Sequence, residues 1–152
     1  MKRDPLQDFV DFLHCLKSNK VKFVVVGAHA MSYWGYSRAT GDIDILISPS
    51  GENTNKLMLA LKEFGAPVKQ LTGLDFQIKG TVFQIGIPPV RIDILNVIDG
   101  VRTERVFETA VAGTLLGVKV KIIHLAELIR NKKSTGRAKD IQDISELEKL
   151  KK

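Results

Sequence analysis

Asp42 and Asp44 stand one residue apart in Gly41-Asp42-Ile43-Asp44-Ile45-Leu46-Ile47, a run that is otherwise apolar. Such a run predicts a β-strand, and side chains two apart in a strand share a face. The two carboxylates therefore point one way, while Ile43, Ile45 and Ile47 point into a core. Carboxylates this close repel, and each resists losing water. Something cationic must offset that cost: a Lys or Arg side chain, or a divalent metal, for which paired Asp oxygens are natural ligands. Asp93 is a third lone acid, between Ile92 and Ile94 in VRIDILNVI. If its strand lies beside 42–47, three carboxylates converge at one sheet edge. That donor set can hold two Mg²⁺ ions about 4 Å apart and support in-line phosphoryl or nucleotidyl transfer. The alternative is a set of strand-end acids paired with nearby arginines. An EF-hand is excluded, because its spaced oxygen ligands, turn glycine and terminal Glu are missing.

Phosphate chemistry would need a second feature, and VVVGAHAMSYW offers one as strand, glycine, helix. Gly27 lets backbone approach a ligand closely, and the helix after it presents free N–H groups to an anion. Thirteen residues separate Ala28 from Asp42, enough for a short helix and a return loop that brings Gly27 close to the aspartates. The loop carries Arg38, a candidate triphosphate ligand or, alternatively, a partner of Asp42 or Asp44. His29, Tyr33 and Trp34 lie on the same helix, where an aromatic could stack on a base. Core packing is the competing role for Trp34, and a place on the helix surface for His29.

The elements that must position these groups read as a mixed set. Asp4-Pro5-Leu6-Gln7 opens a helix over 5–18, with Asp4 as N-cap, Pro5 at the first position and Gln7 at the capping-box position. Leu6, Phe9, Val10, Leu13 and Leu16 follow helical spacing. His14 and Cys15 within it read as packing or surface residues. Residues 21–26 predict a buried strand, 42–47 a second one closed by Pro49, and 52–64 a helix capped by Gly65. DFQIKG, TVFQIGI and VRIDILNVI predict further strands, 102–112 a short helix and 117–123 an edge strand. Helices are expected from His124 to about Lys133 and over 138–150, with Ile141, Ile144, Leu147 and Leu150 on one face. A small mixed sheet with helices packed on it, an α/β or α+β domain, is the expected fold class.

Composition sets outer bounds. With 152 residues, 44% hydrophobic and 26% charged, the chain suits one soluble globular domain, 1–152. Neither a membrane span nor a signal peptide is evident, and a single cysteine precludes an internal disulfide, which together point to the cytoplasm. The net charge is +6, and residues 130–139 alone supply +5 of it through Arg130, Lys132, Lys133, Arg137 and Lys139. That cluster suggests a phosphate-bearing partner such as a nucleotide or RNA, or else a solvated loop between helices. Asp140 and Asp143, with Lys139, suggest a local salt-bridge set.

Val26-Gly27-Ala28, the thirteen-residue spacer and Asp42-Ile43-Asp44-Ile45 together resemble the signature of the DNA polymerase β-like nucleotidyltransferase superfamily. The string GAHAMSYWGYSRATGDIDILI, with FQIGIPPVRIDILNVIDGV and LIRNKKSTGRAKDIQDISELE, is similar to blocks of its small bacterial members. The likeness runs from about 21 to 148 and implies a catalytic core of about 21–123 followed by a helical segment, 124–150. It further implies that Asp42, Asp44 and Asp93 bind Mg²⁺ or Mn²⁺, and that Asp93 serves or assists the general base. Gly27 and Ala28 would meet the nucleotide phosphates with Arg38, and the segment holding Lys132, Lys133, Arg137 and Lys139 would help hold the triphosphate or the acceptor. Ala28 departs from the family's usual Gly or Ser: it keeps the N–H but adds a methyl and offers no hydroxyl.

The implied activity is metal-dependent transfer of an NMP from an NTP to a hydroxyl of RNA, protein or a small molecule. Some relatives are toxins with an antitoxin partner. The alternative is a non-catalytic nucleotide- or RNA-binding module acting with a partner chain, for which Ala28 is the main support.

Overall fold

The computed structural model describes residues 4–36, 41–87 and 90–150. Helix α1 (Pro5–Ser18) begins where the N-cap signal places it, with Asp4 accepting the Leu6 N–H at 3.0 Å. Gln7 does not complete a capping box; it donates to Asp11 at 2.8 Å. Phe9, Phe12, Leu13 and Leu16 are buried while Leu6 stays exposed. Strand β1 (Phe23–Val26) is buried along its whole length and passes directly into helix α2 (Gly27–Tyr33). Strand β2 (Asp42–Ile47) and helix α3 (Gly51–Phe64) follow, the latter closed by Gly65 at φ 93°. Left-handed backbone there suits glycine, so the C-cap signal read from sequence is real.

DFQIKG is not a strand. Thr72 and Asp75 form a reciprocal capping box, and Gly73–Gln77 is a 3-10 helix. Local side-chain hydrogen bonds to backbone outcompete strand pairing there. Strands β3 (Val82–Ile87) and β4 (Val90–Leu95) form a hairpin, followed by helix α4 (Thr103–Thr109). Strand β5 (Val111–Leu115) departs from the expected elements, because Ala112 and Gly113 carry little strand signal. It pairs antiparallel with β6 (Val118–Ile122).

These six strands make one mixed sheet in the order β3-β4-β2-β1-β6-β5. β6 is therefore not an edge strand: it lies parallel to β1 on one side and is covered by β5 on the other. Ile43, Ile45 and Ile47 are fully buried, as the alternation in β2 requires. α1 and α3 pack together beneath this core. Among the described residues no helix is long and apolar enough to cross a membrane.

Helices α5 (Leu125–Thr135) and α6 (Ala138–Leu150) close the chain. His124 caps α5 through Nδ1, which accepts the Ala126 N–H at 3.0 Å. The inward face of α6 is not the apolar stripe read from its spacing. Ile141 is 65% exposed, whereas Asp140, Asp143 and Leu147 are buried. Lys132, from α5, explains this: its Nζ lies 3.2 Å from Asp140 and 3.4 Å from Asp143. Arg137 adds a 2.8 Å contact to Asp140, and Thr135 donates to the same carboxylate. Burial alone would raise the Asp140 pKa, but the hydrogen bonds from Thr135, Arg137 and Lys132 hold it at about 2. Its stabilising contribution is thus complete above the ordinary value of 3.8 and is lost as pH falls through about 2. Truncating the cation strands buried charge, so Lys132→Met is expected to destabilise the fold by about 3 kcal/mol. Denaturant unfolding at pH 7 measures this; a midpoint within error of the parent would show the ion cluster to be dispensable.

Candidate active site

β2 and β4 are parallel, and their register sets Asp42 opposite Arg91 and Asp44 opposite Asp93. Residues two apart share a face, so the four side chains form a two-by-two arrangement on one side of the sheet. β1 borders it, with Val26 opposite Asp44. The next residue, Gly27, starts α2 at φ +71°, and a Cβ built there would overlap the Asp44 carboxylate. Glycine is therefore required twice, by backbone conformation and by the carboxylate against it. Gly27→Ala is expected to cost at least about 2 kcal/mol and to displace Asp44. Unfolding combined with a cation titration checks this: an alanine variant with parental stability would remove the steric constraint.

Arg91 is the cation that the aspartates need. Its Nη2 is 3.0 Å from Asp42 Oδ2 and 3.1 Å from Asp93 Oδ2, and its Nε is 2.9 Å from Asp93 Oδ1. The Nε contact is close enough for charge attraction but poorly directed as a hydrogen bond, and neither atom has another hydrogen-bond partner. Asp44 is less well served. Burial, then the charge of Asp93 and a hydrogen bond shared with it, then Asp42, push the Asp44 pKa up to about 7, with Arg91 opposing only in part. Arg91 itself is raised, foremost by its hydrogen bond to Asp93.

His29, on α2, is buried rather than on the helix surface, and its ring meets Phe9 edge-on at 5.7 Å. Burial lowers its pKa, with Asp42 pulling the other way, so the imidazole is neutral near pH 7. Its Nε2 has no hydrogen-bond partner.

A divalent cation fits this donor set chemically. Asp44 holds its proton toward neutrality because it is buried and lies against Asp93 and Asp42, with Arg91 opposing only in part. Among the described residues, however, no three acidic, Cys or His side chains already close round one point. Arg91 stands between Asp42 and Asp93, so a metal would compete with its guanidinium.

Of the residues singled out in the sequence, Asp42, Asp44, Asp93 and Gly27 come together, with Ala28 next in α2. Arg38 lies outside the described residues, as does the side chain of Lys139. The other basic residues of the decade are engaged elsewhere: Lys132 as above, Lys133 with Glu148 at 2.9 Å, Arg137 with Asp140 and Arg130 with Glu127 at 3.0 Å. The segment is two helix ends and a short turn, not a solvated loop. The salt-bridge set expected round Asp140 and Asp143 exists, built on Lys132 and Arg137. Trp34 packs, its Nε1 donating to the Ile123 carbonyl at 2.8 Å. Arg91 was missed, although its place two residues before Asp93 in VRIDIL put it on the same face.

A strand-borne carboxylate set beside a strand–glycine–helix turn is the arrangement expected of a nucleotidyltransferase. The chain belongs to the family described as nucleotidyl transferase of unknown function (DUF2204), which it matches over residues 5–152. It is an enzyme of the transferase class. No curated protein sequence matches it significantly. Its fold is similar to that of TM1012 from Thermotoga maritima, a candidate nucleotidyltransferase, with TM-score 0.62, 18% identity, 95% of this chain and 92% of that one covered. It is also similar to the lincosamide antibiotic adenylyltransferase LnuA in its lincomycin-bound form, with TM-score 0.56, 14% identity and coverage of 95% and 96%.

Proposed function

We propose that the protein transfers a nucleoside monophosphate from an NTP to an acceptor hydroxyl, using Asp42, Asp44 and Asp93. The observation that carries this is the parallel register placing Asp44 directly opposite Asp93, with Gly27 against the Asp44 carboxylate. The three aspartates would hold Mg²⁺ or Mn²⁺. When bound, such an ion supplies charge neutralisation of the triphosphate and acidifies the attacking hydroxyl. Gly27 and the N–H of Ala28 would face the phosphates, with Arg38 as a further candidate ligand; Lys133 and Arg137 would join them only by leaving Glu148 and Asp140. The acceptor oxygen forms a bond to the α-phosphorus, the bond from that phosphorus to the β-phosphate bridge breaks, and pyrophosphate leaves. The hydroxyl proton passes to Asp93, which serves or assists the general base.

The work would take place in the cytoplasm, on RNA, a protein or a small molecule; LnuA, bound to lincomycin, illustrates a small acceptor on a similar fold. Toxicity on expression, relieved by a neighbouring antitoxin, would give the same chemistry a toxin role. Incubation with α-labelled and γ-labelled ATP in cell extract tests the reaction. Label should move to an acceptor from the α position only; movement of γ-label alone would make the enzyme a kinase.

A further inference from the structure

Away from the carboxylates, the first residues of β1 and β6 enclose a groove of about 700 Å³. The two strands pair at one position only, Val25 with Ile122, and the residues preceding that bridge line the groove from either side. Phe107, Ala110 and Ala112 give it an apolar, partly aromatic surface. Its rim carries Lys17, Lys20 and Lys22 from one bank and Lys119 and Lys121 from the other. All five are exposed, no acidic residue lines the groove, and none of the five is ion-paired among the described residues. They contrast with the decade at 130–139, whose described cations are matched by acids.

We infer that this groove binds single-stranded nucleic acid, with lysines on the phosphates and a base against Phe107. Lys119 and Lys121 stand two apart on one strand, about 6.6 Å, close to the step between successive phosphates of an extended strand. A π-face is shared by every base, so an aromatic surface flanked by unpaired cations holds single strands without reading sequence. A membrane would call for protruding apolar side chains, whereas these are recessed between two cationic banks. Asp44 lies opposite Val26, at the far end of β1, so the groove is separate from the transfer site.

Fluorescence anisotropy with labelled U12 and dT12, without Mg²⁺ or NTP, tests the groove alone. Five lysine–phosphate contacts predict a log–log salt slope of about −3.5, and Lys119→Ala with Lys121→Ala should reduce it by about 1.4 and weaken binding at least roughly tenfold. Phe107→Leu keeps apolar bulk and should weaken binding about tenfold with an unchanged slope. Tighter U12 identifies RNA as the ligand; equal affinities show that the sugar is not read, and both support the groove. Unchanged affinity and slope in the double variant would overturn it. So would equal binding of a twelve-residue polyglutamate, or preference for phosphatidylserine vesicles. Loss of the groove would leave the transfer reaction standing, and the reverse holds as well.

Discussion

Asp44→Asn should give a protein that is more stable at pH 8 and inactive. A group whose folded pKa is raised contributes stability that is complete below its unfolded value, 3.8, and lost as pH rises through about 7. At pH 8 the parent therefore carries an ionised Asp44 that is buried and lies against Asp93, and the neutral amide removes both the desolvation cost and the repulsion. A gain of about 2 kcal/mol, roughly 4–8 °C in Tm, is expected at pH 8 without divalent cations, shrinking to nothing near pH 4. Transfer should fall at least about 1,000-fold, since several kcal/mol of charge stabilisation leave with the ligand. Thermal unfolding at both pH values and label transfer read the two effects separately. A variant less stable than the parent at pH 8 would mean that Asp44 is satisfied by contacts in the folded chain rather than frustrated for a cation.

Arg91→Leu should do the opposite. Its guanidinium bridges Asp42 and Asp93 at 2.9–3.1 Å, so its loss leaves three carboxylates without their built-in cation. The metal-free variant should melt well below the parent at pH 8 and recover on addition of Mg²⁺. Removing a positive charge that occupies the ligands should also tighten Mg²⁺ binding roughly tenfold or more. Weaker Mg²⁺ binding would instead give Arg91 a supporting role, orienting the aspartates for the metal.

Most of this arrangement was legible because it follows the strand period. Ile43, Ile45 and Ile47 demanded a core, which forced Asp42 and Asp44 outward, and Asp93 repeats the pattern. Arg91 obeys the same period but was overlooked, since an arginine near a strand start reads as solvent-facing. Sequence reasoning failed where local bonding or buried charge overrides periodicity. Thr72 and Asp75 turned an alternating segment into a 3-10 helix. Lys132 drew Asp140 and Asp143 inward and left Ile141 outside. The lysine groove was hidden for another reason: β1 and β6 are neighbours only through a parallel pairing across most of the chain.

Calorimetric titration with Mg²⁺ alone at pH 7, in buffers of different ionisation enthalpy, bears most directly on the carboxylate site. A cation seated between Asp44 and Asp93 must expel the proton held there, so binding should release about half a proton at pH 7, and Asp44→Asn should abolish both binding and release. Tight binding without proton release, or binding preserved in Asp44→Asn, would place the metal elsewhere and contradict the assignment.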